Sequence, residues 1–302
     1  APFKLSCRPK MKKNIVSAML LTSLASHTLL AYAQAESVSL VPNAGAYLGL
    51  GFNANSTQFN DQDVTATGTS VVTNTSTGAA VSSGTAGGPA VGIDMNNVNA
   101  YSPSIQAGYF EKVKDSNYLW GAKFSYSYLG GSTATNDFIR IPQYGAYANG
   151  TPFTGNAIAS SYQKTIKHQL SLVPYVGQAF EKSTLYFGAG PTLSQVNTKI
   201  NNLVGFADLN GDRTDISGVA QNFTDTQWVL GATAMLGGTY YLNTSLFLDL
   251  NYSYSMTKNK TSSYYSTFHN VSSPNTYAGE LIGSSTGTAT VQSVGISMNK
   301  LF

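Results

Sequence analysis

The last residues of the chain constrain its fold more than any others. Val294, Ile296, Met298 and Phe302 share one face of an extended segment, and Ser293, Gly295, Ser297 and Asn299 share the other. Successive side chains of a strand leave opposite faces of the pleat, so this alternation suits a strand with lipid on one side and a polar interior on the other. Lys300 departs from it, on the apolar parity, where its long stem lets the ammonium reach the headgroups.

The beginning of the chain agrees. Lys12-Lys13 after Met11 precede a mostly apolar run from Ile15 to Leu30, followed by Ala31-Tyr32-Ala33-Gln34-Ala35. Basic, apolar and small-residue stretches in that order mark a secretory signal peptide. The run is interrupted by Ser23, Ser26 and His27 and falls short of the roughly 20 apolar residues of a spanning helix. The expected organisation is an upstream extension over residues 1–10, a cleaved signal peptide over 11–35, and one barrel domain over 36–302.

Cleavage changes the charge. The formal net charge of +3 includes Lys4, Arg8, Lys10, Lys12 and Lys13, and without them 12 basic residues face 14 acidic ones. No basic stripe is left to hold nucleic acid. The single cysteine, Cys7, falls in the leader, so residues 36–302 need neither disulfide nor thiolate metal site.

Alternating segments recur at about 45–53, 103–113, 118–128, 165–180, 185–194, 226–242, 246–256 and from 288 onward. Pro174 and Pro191 fall inside two of them; each forfeits a ladder donor and implies a bulge or break. Three connections are tight and polar, while those over 54–102, 129–164, 197–225 and 257–287 are long. Aromatics gather at both ends: Tyr109, Tyr118, Trp120, Phe180, Phe187, Tyr240 and Phe247 beside the short turns, Tyr126, Tyr128, Trp228, Tyr252 and Tyr254 beside the long connections. Two such girdles suit amphipathic rings at two interfaces. A soluble barrel would carry charged outer faces, and charged residues are only 10% of this chain. The expected fold is all-β, a closed antiparallel transmembrane β-barrel of eight strands, with short periplasmic turns, four long extracellular loops, and both ends of the barrel domain periplasmic. Ten strands is the alternative, since Val64, Val71 and Val72 among threonines suit an extra hairpin.

On these strands and the terminal Phe302, the chain resembles bacterial outer-membrane barrels of the outer-membrane protein A and opacity type. The resemblance implies location in the bacterial outer membrane, contact with outer-membrane lipid and lipopolysaccharide, and delivery by the barrel-insertion machinery. Val294, Ile296, Met298 and Phe302 then form the C-terminal insertion signal.

Little points to catalysis. His168 falls on the lipid-facing parity of its strand, and Ser171, three residues on, falls on the opposite face; His269 lies in a long connection without an acidic neighbour. No base, nucleophile and orienting acid converge, so neither enzyme nor cofactor is implied. Asp208, Asn210, Asp212 and Asp215 form a weak Ca²⁺ candidate that lacks the closing Glu of a twelve-residue loop. Parity sends Lys123, Lys167 and Asp249 to the interior, where Lys123 and Asp249, on opposed strands, are expected to meet in a lumen about wide enough for side chains. Thr65 to Gly87 reads as a flexible stretch that cannot bury a core of its own. Tyr144, Tyr147, Tyr162, Tyr264, Tyr265 and Tyr277 give the loops aromatic contact area. These features favour a structural and surface-interaction role, with host or extracellular ligands held by the loops. A narrow porin-like channel for ions or small solutes is the alternative; a lipid A-modifying or proteolytic enzyme fits less well.

Overall fold

The computed structural model describes residues 39–130, 133–209 and 211–302; the expected extension and signal peptide, residues 1–35, lie outside them. Eight strands form the wall: β1 (Ala44–Asn74), β2 (Val98–Lys112), β3 (Tyr118–Tyr128), β4 (Ser161–Ala179), β5 (Ser183–Leu209), β6 (Gln221–Asn243), β7 (Leu246–Thr257) and β8 (Asn275–Leu301). Each pairs antiparallel with its sequence neighbours, and β1 pairs with β8 from Tyr47↔Leu301 to Asn74↔Asn275, so the sheet closes into a ring without an edge. Closure satisfies backbone groups that lipid cannot. The ladder between β4 and β5 skips from Gly188↔Tyr175 to Thr192↔Ser171, and Pro174 and Pro191 sit in that gap.

The lower part of the wall is inside out. Leu48, Leu50 and Phe52 of β1 and Val294, Ile296 and Met298 of β8 are half-exposed or more, whereas Tyr47, Asn55, Ser297 and Asn299 are buried inward. The outward apolar band lies between the two aromatic girdles. Phe247 is the exception to the expected girdle: it is buried in the lumen, its ring 5.3 Å from that of Tyr47 and 4.9 Å from that of Tyr241, because its parity matches inward Asp249 and not outward Leu250.

Above the upper girdle the long connections are mostly strand, which corrects the expectation of loops. β1 alone has 31 residues, and further strands run over Ala80–Gly87, Val91–Ile93, Ala134–Asn136, Ile139–Tyr147, Pro152–Ala159, Asp212–Asp215 and Lys260–Ser272. Residues 80–87 pair with β1 on one side and 139–147 on the other, and 152–159 pairs with β5. This second storey has a conventional core of Val64, Ala66, Ile139, Ile141, Ile200, Leu203, Phe268 and Leu281 among others. The stretch from Thr65 to Gly87 thus shares a core it cannot build alone: apolar residues from all four connections are pooled. Neither it nor Val64, Val71 and Val72 adds a strand pair to the barrel, which stays at eight.

Two devices bring the apolar residues from the outward face to the inward one between storeys. In β1 the register slips between Asn60 and Asp63, with Asp61 at φ 51°, so the inward positions change from Thr57 and Phe59 to Gln62, Val64 and Ala66. A bulge adds one residue and inverts the parity beyond it. Gln62 fills the kink, its Nε2 donating to Asn60 O (2.5 Å) and Thr288 O (2.9 Å). The facing residue is Gly287, where a Cβ would lie 2.1 Å from that amide nitrogen. In β8 the parity runs unbroken and the sequence changes instead: inward Ser293, Ser297 and Asn299 give way to Val291, Ala289, Leu281 and Tyr277.

Candidate functional site: the lumen and the outer storey

The lumen is filled in layers. At the periplasmic end Tyr47, Phe110, Leu119, Val173, Tyr175, Tyr186, Tyr241, Phe247 and Leu301 form an apolar plug that includes Val41. Val41 belongs to a short segment before β1 that crosses the mouth: Leu40 N donates to Glu181 O at the β4–β5 turn (2.8 Å), and Lys112 Nζ donates to Val41 O (2.7 Å).

Above the plug, Lys123 of β3 and Asp249 of β7 meet in an ion pair, each at most 2% exposed. Tyr186 Oη donates to Asp249 Oδ1 (2.6 Å) and accepts from Lys123 Nζ (2.5 Å); Gln106 Nε2 donates to Asp249 Oδ2 (2.9 Å) and to Asn299 Oδ1 (2.6 Å). Every charge is matched by hydrogen bonds, as burial of an ion pair requires. The cavity beside the pair measures about 20 Å³, room for one water.

A hydroxyl and amide layer follows, with Asn53 Nδ2 on Ser127 Oγ (2.8 Å), Asn55 Nδ2 on Ser102 Oγ (2.8 Å) and Ser171 paired with Thr192 (3.0 Å). Phe59, Leu129, Ala134, Ile166, Ala289 and Val291 then close the tube beneath the outer core.

Lys167 is not in this interior. It is exposed, because β4 bulges between His168↔Gln195 and Ile166↔Val196 and leaves Lys167 as the unpaired residue. The inward lysine is Lys164, 5% exposed, which alternation counted from Gln169 and Ser171 puts on the wrong face. Its ammonium is held down to about 8 by burial, partly offset by Asp225. Nothing in the local sequence announces the bulge.

The remaining candidates disperse. His168 Nδ1 lies 2.9 Å from Tyr126 Oη, with its ring stacked near those of Tyr126 and Trp228, while Ser171 faces the lumen; His269 is exposed. Asp208 accepts from Thr154 Oγ1 (3.3 Å), and Asp215 Oδ1 accepts the backbone N–H groups of Ser217 (3.1 Å) and Gly218 (2.9 Å) as a turn cap. Asp212 pairs with Leu209 across the hairpin turn, and Asn210 lies outside the described residues. No three carboxylate, imidazole or thiol groups gather to hold an ion among the described residues. Of the six loop tyrosines, Tyr162, Tyr264 and Tyr277 are core residues at 6% exposure or less, whereas Tyr144 and Tyr265 are each 60% exposed. An apolar cavity of about 70 Å³ in the outer storey, between Phe153, Phe206, Phe268 and Leu281, is small beside ligand sites of roughly 300–1,000 Å³.

The closed ring, the outward apolar band and the polar, filled interior decide where the chain resides. It is an eight-stranded outer-membrane β-barrel. Val294, Ile296 and Met298 face lipid at the closing seam; Phe302 N donates to Ala46 O (2.9 Å), and Lys300 Nζ lies 5.5 Å from the Phe302 ring centroid. No family model and no curated protein matches the chain. Among solved structures it is similar to the outer membrane protein OprG of Pseudomonas aeruginosa, at 9% identity over 84% of this chain and 98% of that one (TM-score 0.32). It is also similar to Ail, the attachment invasion locus protein of Yersinia pestis, at 8% identity over 79% of this chain and 98% of that one (TM-score 0.23). A third is neisserial surface protein A, at 14% identity over 80% of this chain and 95% of that one (TM-score 0.22).

Proposed function

We propose that this barrel does not conduct and serves as a surface-interaction protein, presenting a rigid β-platform outside the membrane. The observation that carries the reading is the filled axis: an aromatic plug, a buried ion pair, a hydroxyl layer and two apolar layers follow one another from the periplasmic mouth to the outer storey. A tube of eight strands has about the width its own side chains occupy, which argues against the alternative of a narrow channel. The outer storey in contrast is ordered in strands and offers Phe138 (61% exposed), Tyr144, Tyr265 (each 60%) and Val219 (79%) to the outside. Exposed aromatics on a fixed scaffold supply contact area at low entropic cost, and the partners they suit are host or other extracellular macromolecules.

Two measurements test this. Planar-bilayer recording of the refolded barrel is expected to show no stable openings; long-lived channels of uniform conductance would replace the reading with transport. Bacteria displaying the wild type are expected to adhere to epithelial monolayers more than bacteria displaying a Phe138→Ser/Tyr144→Ser/Tyr265→Ser variant. Equal adherence at equal surface display would remove the platform from the reading.

A further inference from the structure

The outer storey is a ring of its own that stays open at one place. Its strands follow one another from Lys260–Ser272 through β8, β1, Ala80–Gly87, Ile139–Tyr147, Pro152–Ala159 and β5 to β6, each paired with the next. The β6–β7 ladder ends at Gly231↔Thr257. Above it, among the described residues, Gln221–Leu230 of β6 pairs with β5 alone and Lys260–Ser272 with β8 alone. Two strand edges thus face each other across a seam. It is pinned below, where Lys258 N donates to Leu230 O (2.8 Å), and above, where Asn270 Nδ2 donates to Asp215 O (3.4 Å). Between the pins side chains cross it: the Phe223 and Tyr264 rings lie 5.5 Å apart, and Gln227 Nε2 donates to Ser262 Oγ (3.5 Å).

An unpaired edge is a template for another strand, and proteins usually blunt it with charge or proline. From Thr261 to Asn270 there is no Lys, Arg, Asp, Glu or Pro. Polar side-chain atoms beside the seam are short of partners as well. Of the four buried ones without a partner among the described residues, Gln227 Oε1, Tyr264 Oη and Ser266 Oγ stand on these two strands. At the lower end of the seam lies a cavity of about 20 Å³, lined by Lys164, Thr198, Gln227, Lys258, Lys260 and Ser262 among others. Lys164 is buried there with no carboxylate at ion-pair distance among the described residues, and Asp225 is taken up by Gln227 Nε2 (2.5 Å). Thr257 Oγ1 accepts from Ala289 N (2.8 Å), which leaves its own proton free for the same cavity. A buried ammonium among hydroxyl donors calls for a negatively charged acceptor. The space is about that of one water, enough for the tip of a carboxylate and too little for a phosphate.

We propose that the seam captures an extended acidic segment of a partner protein, which adds a strand along Thr261–Asn270 and places one Asp or Glu carboxylate on Lys164. Backbone hydrogen bonds along a free edge give such a complex its affinity, and a pocket for one side chain gives it specificity. Only a polypeptide in extended form offers both the backbone ladder and the carboxylate. Lys258 and Lys260, exposed beside the cavity, favour an acidic segment over a basic one. The exposed Tyr265 stands on the same edge strand, so the seam is continuous with the platform described above. This inference rests on the surface-interaction reading and names where the partner is held.

Panning a phage-displayed library of random peptides on the refolded barrel tests it. The enriched peptides are expected to share one Asp or Glu within an alternating stretch. A synthetic peptide of that sequence should bind at least about tenfold more tightly than its counterpart with the acid changed to the amide. Lys164→Met should lose the preference, binding both peptides alike, and hydrogen exchange of Thr261–Asn270 in the wild type should slow when the acidic peptide is added. No enrichment, enriched peptides without a shared acid, or an acidic peptide that binds Lys164→Met within about twofold of wild type would overturn the inference. Heat-modifiable electrophoretic mobility reports whether the variant is folded; should it not fold, the two peptides and the exchange of the wild type still decide. Adherence to epithelial monolayers with the acidic peptide present separates this inference from the reading beneath it. Adherence is expected to fall with the acidic peptide and to persist with the amide. A wild type that adheres undiminished with the acidic peptide bound would overturn the seam as the partner's site and keep the surface role, whereas one that never adheres would overturn the surface role itself.

Discussion

The two storeys of this barrel obey opposite rules with the same backbone. Below the Trp228 girdle, Leu50 points out and Asn55 and Asn299 point in; above it, Thr67 points out and Val64 and Ala66 point in. The strands run through the boundary without ending, so secondary structure is indifferent to it. What differs is the solvent. Lipid outside makes an outward Leu favourable and requires inward polar groups to find partners among themselves. Water outside restores the ordinary hydrophobic effect. The lower storey is therefore held by closure and a polar network, the upper by a core.

That contrast can be broken from either side. The largest effect is expected in the lower storey from Asp249→Ala, which leaves the Lys123 ammonium buried without its partner and should cost about 3–5 kcal/mol. The double variant Lys123→Met/Asp249→Leu should recover most of this, since a well-packed apolar pair often equals a buried ion pair. Urea titration of the refolded barrel in lipid vesicles measures both; equal losses in the single and double variants would contradict the role given to the pair.

In the upper storey Leu281→Ala is expected to cost about 2–5 kcal/mol, confined to that storey. Hydrogen exchange should quicken in residues 139–159 and 260–272 while the amides of β7 below Ser255 keep their protection. A barrel that loosens throughout would show that the storeys are not separable.

A positive charge on the outward face sharpens the comparison on one strand. Leu50→Arg should destabilise by about 2–4 kcal/mol, as for charges near the bilayer midplane. Thr67→Arg, outward on the same strand beyond the Asp61 bulge, should change stability by less than about 0.5 kcal/mol. Similar losses at both sites would place the outer storey in lipid.

A last effect follows pH. Lys164 titrates near 8 in the folded chain and near 10.4 unfolded, so between these values the unfolded state binds the extra proton and stability rises with pH. The thermal midpoint should climb from pH 8 to 10 in the wild type and more weakly in Lys164→Met; identical slopes would show that Lys164 is not the group responsible.

Much of the lower storey was legible because lipid imposes a strict period of two. The meeting of Lys123 with Asp249 follows from parity and from opposed positions in an eight-membered ring. The outward Val294, Ile296 and Met298 follow from parity alone. The switch of faces on β8 is also written in the chain, at Val291-Gln292-Ser293, where the apolar residue changes parity. Lys167 and Val64 were not legible, because one extra residue in a bulge inverts everything beyond it and neither Asp61 nor Lys167 is a residue type that declares one.

By itself the sequence determined a closed membrane barrel, its eight strands, the positions of its short turns and the polar character of its lumen, because all of these follow from local alternation against a fixed solvent. Tertiary structure alone decided that the long connections form a second storey with a shared core. No connection contains enough apolar surface to fold alone, and the residues that complete it, from Ile141 to Phe268, come together only when the ring closes.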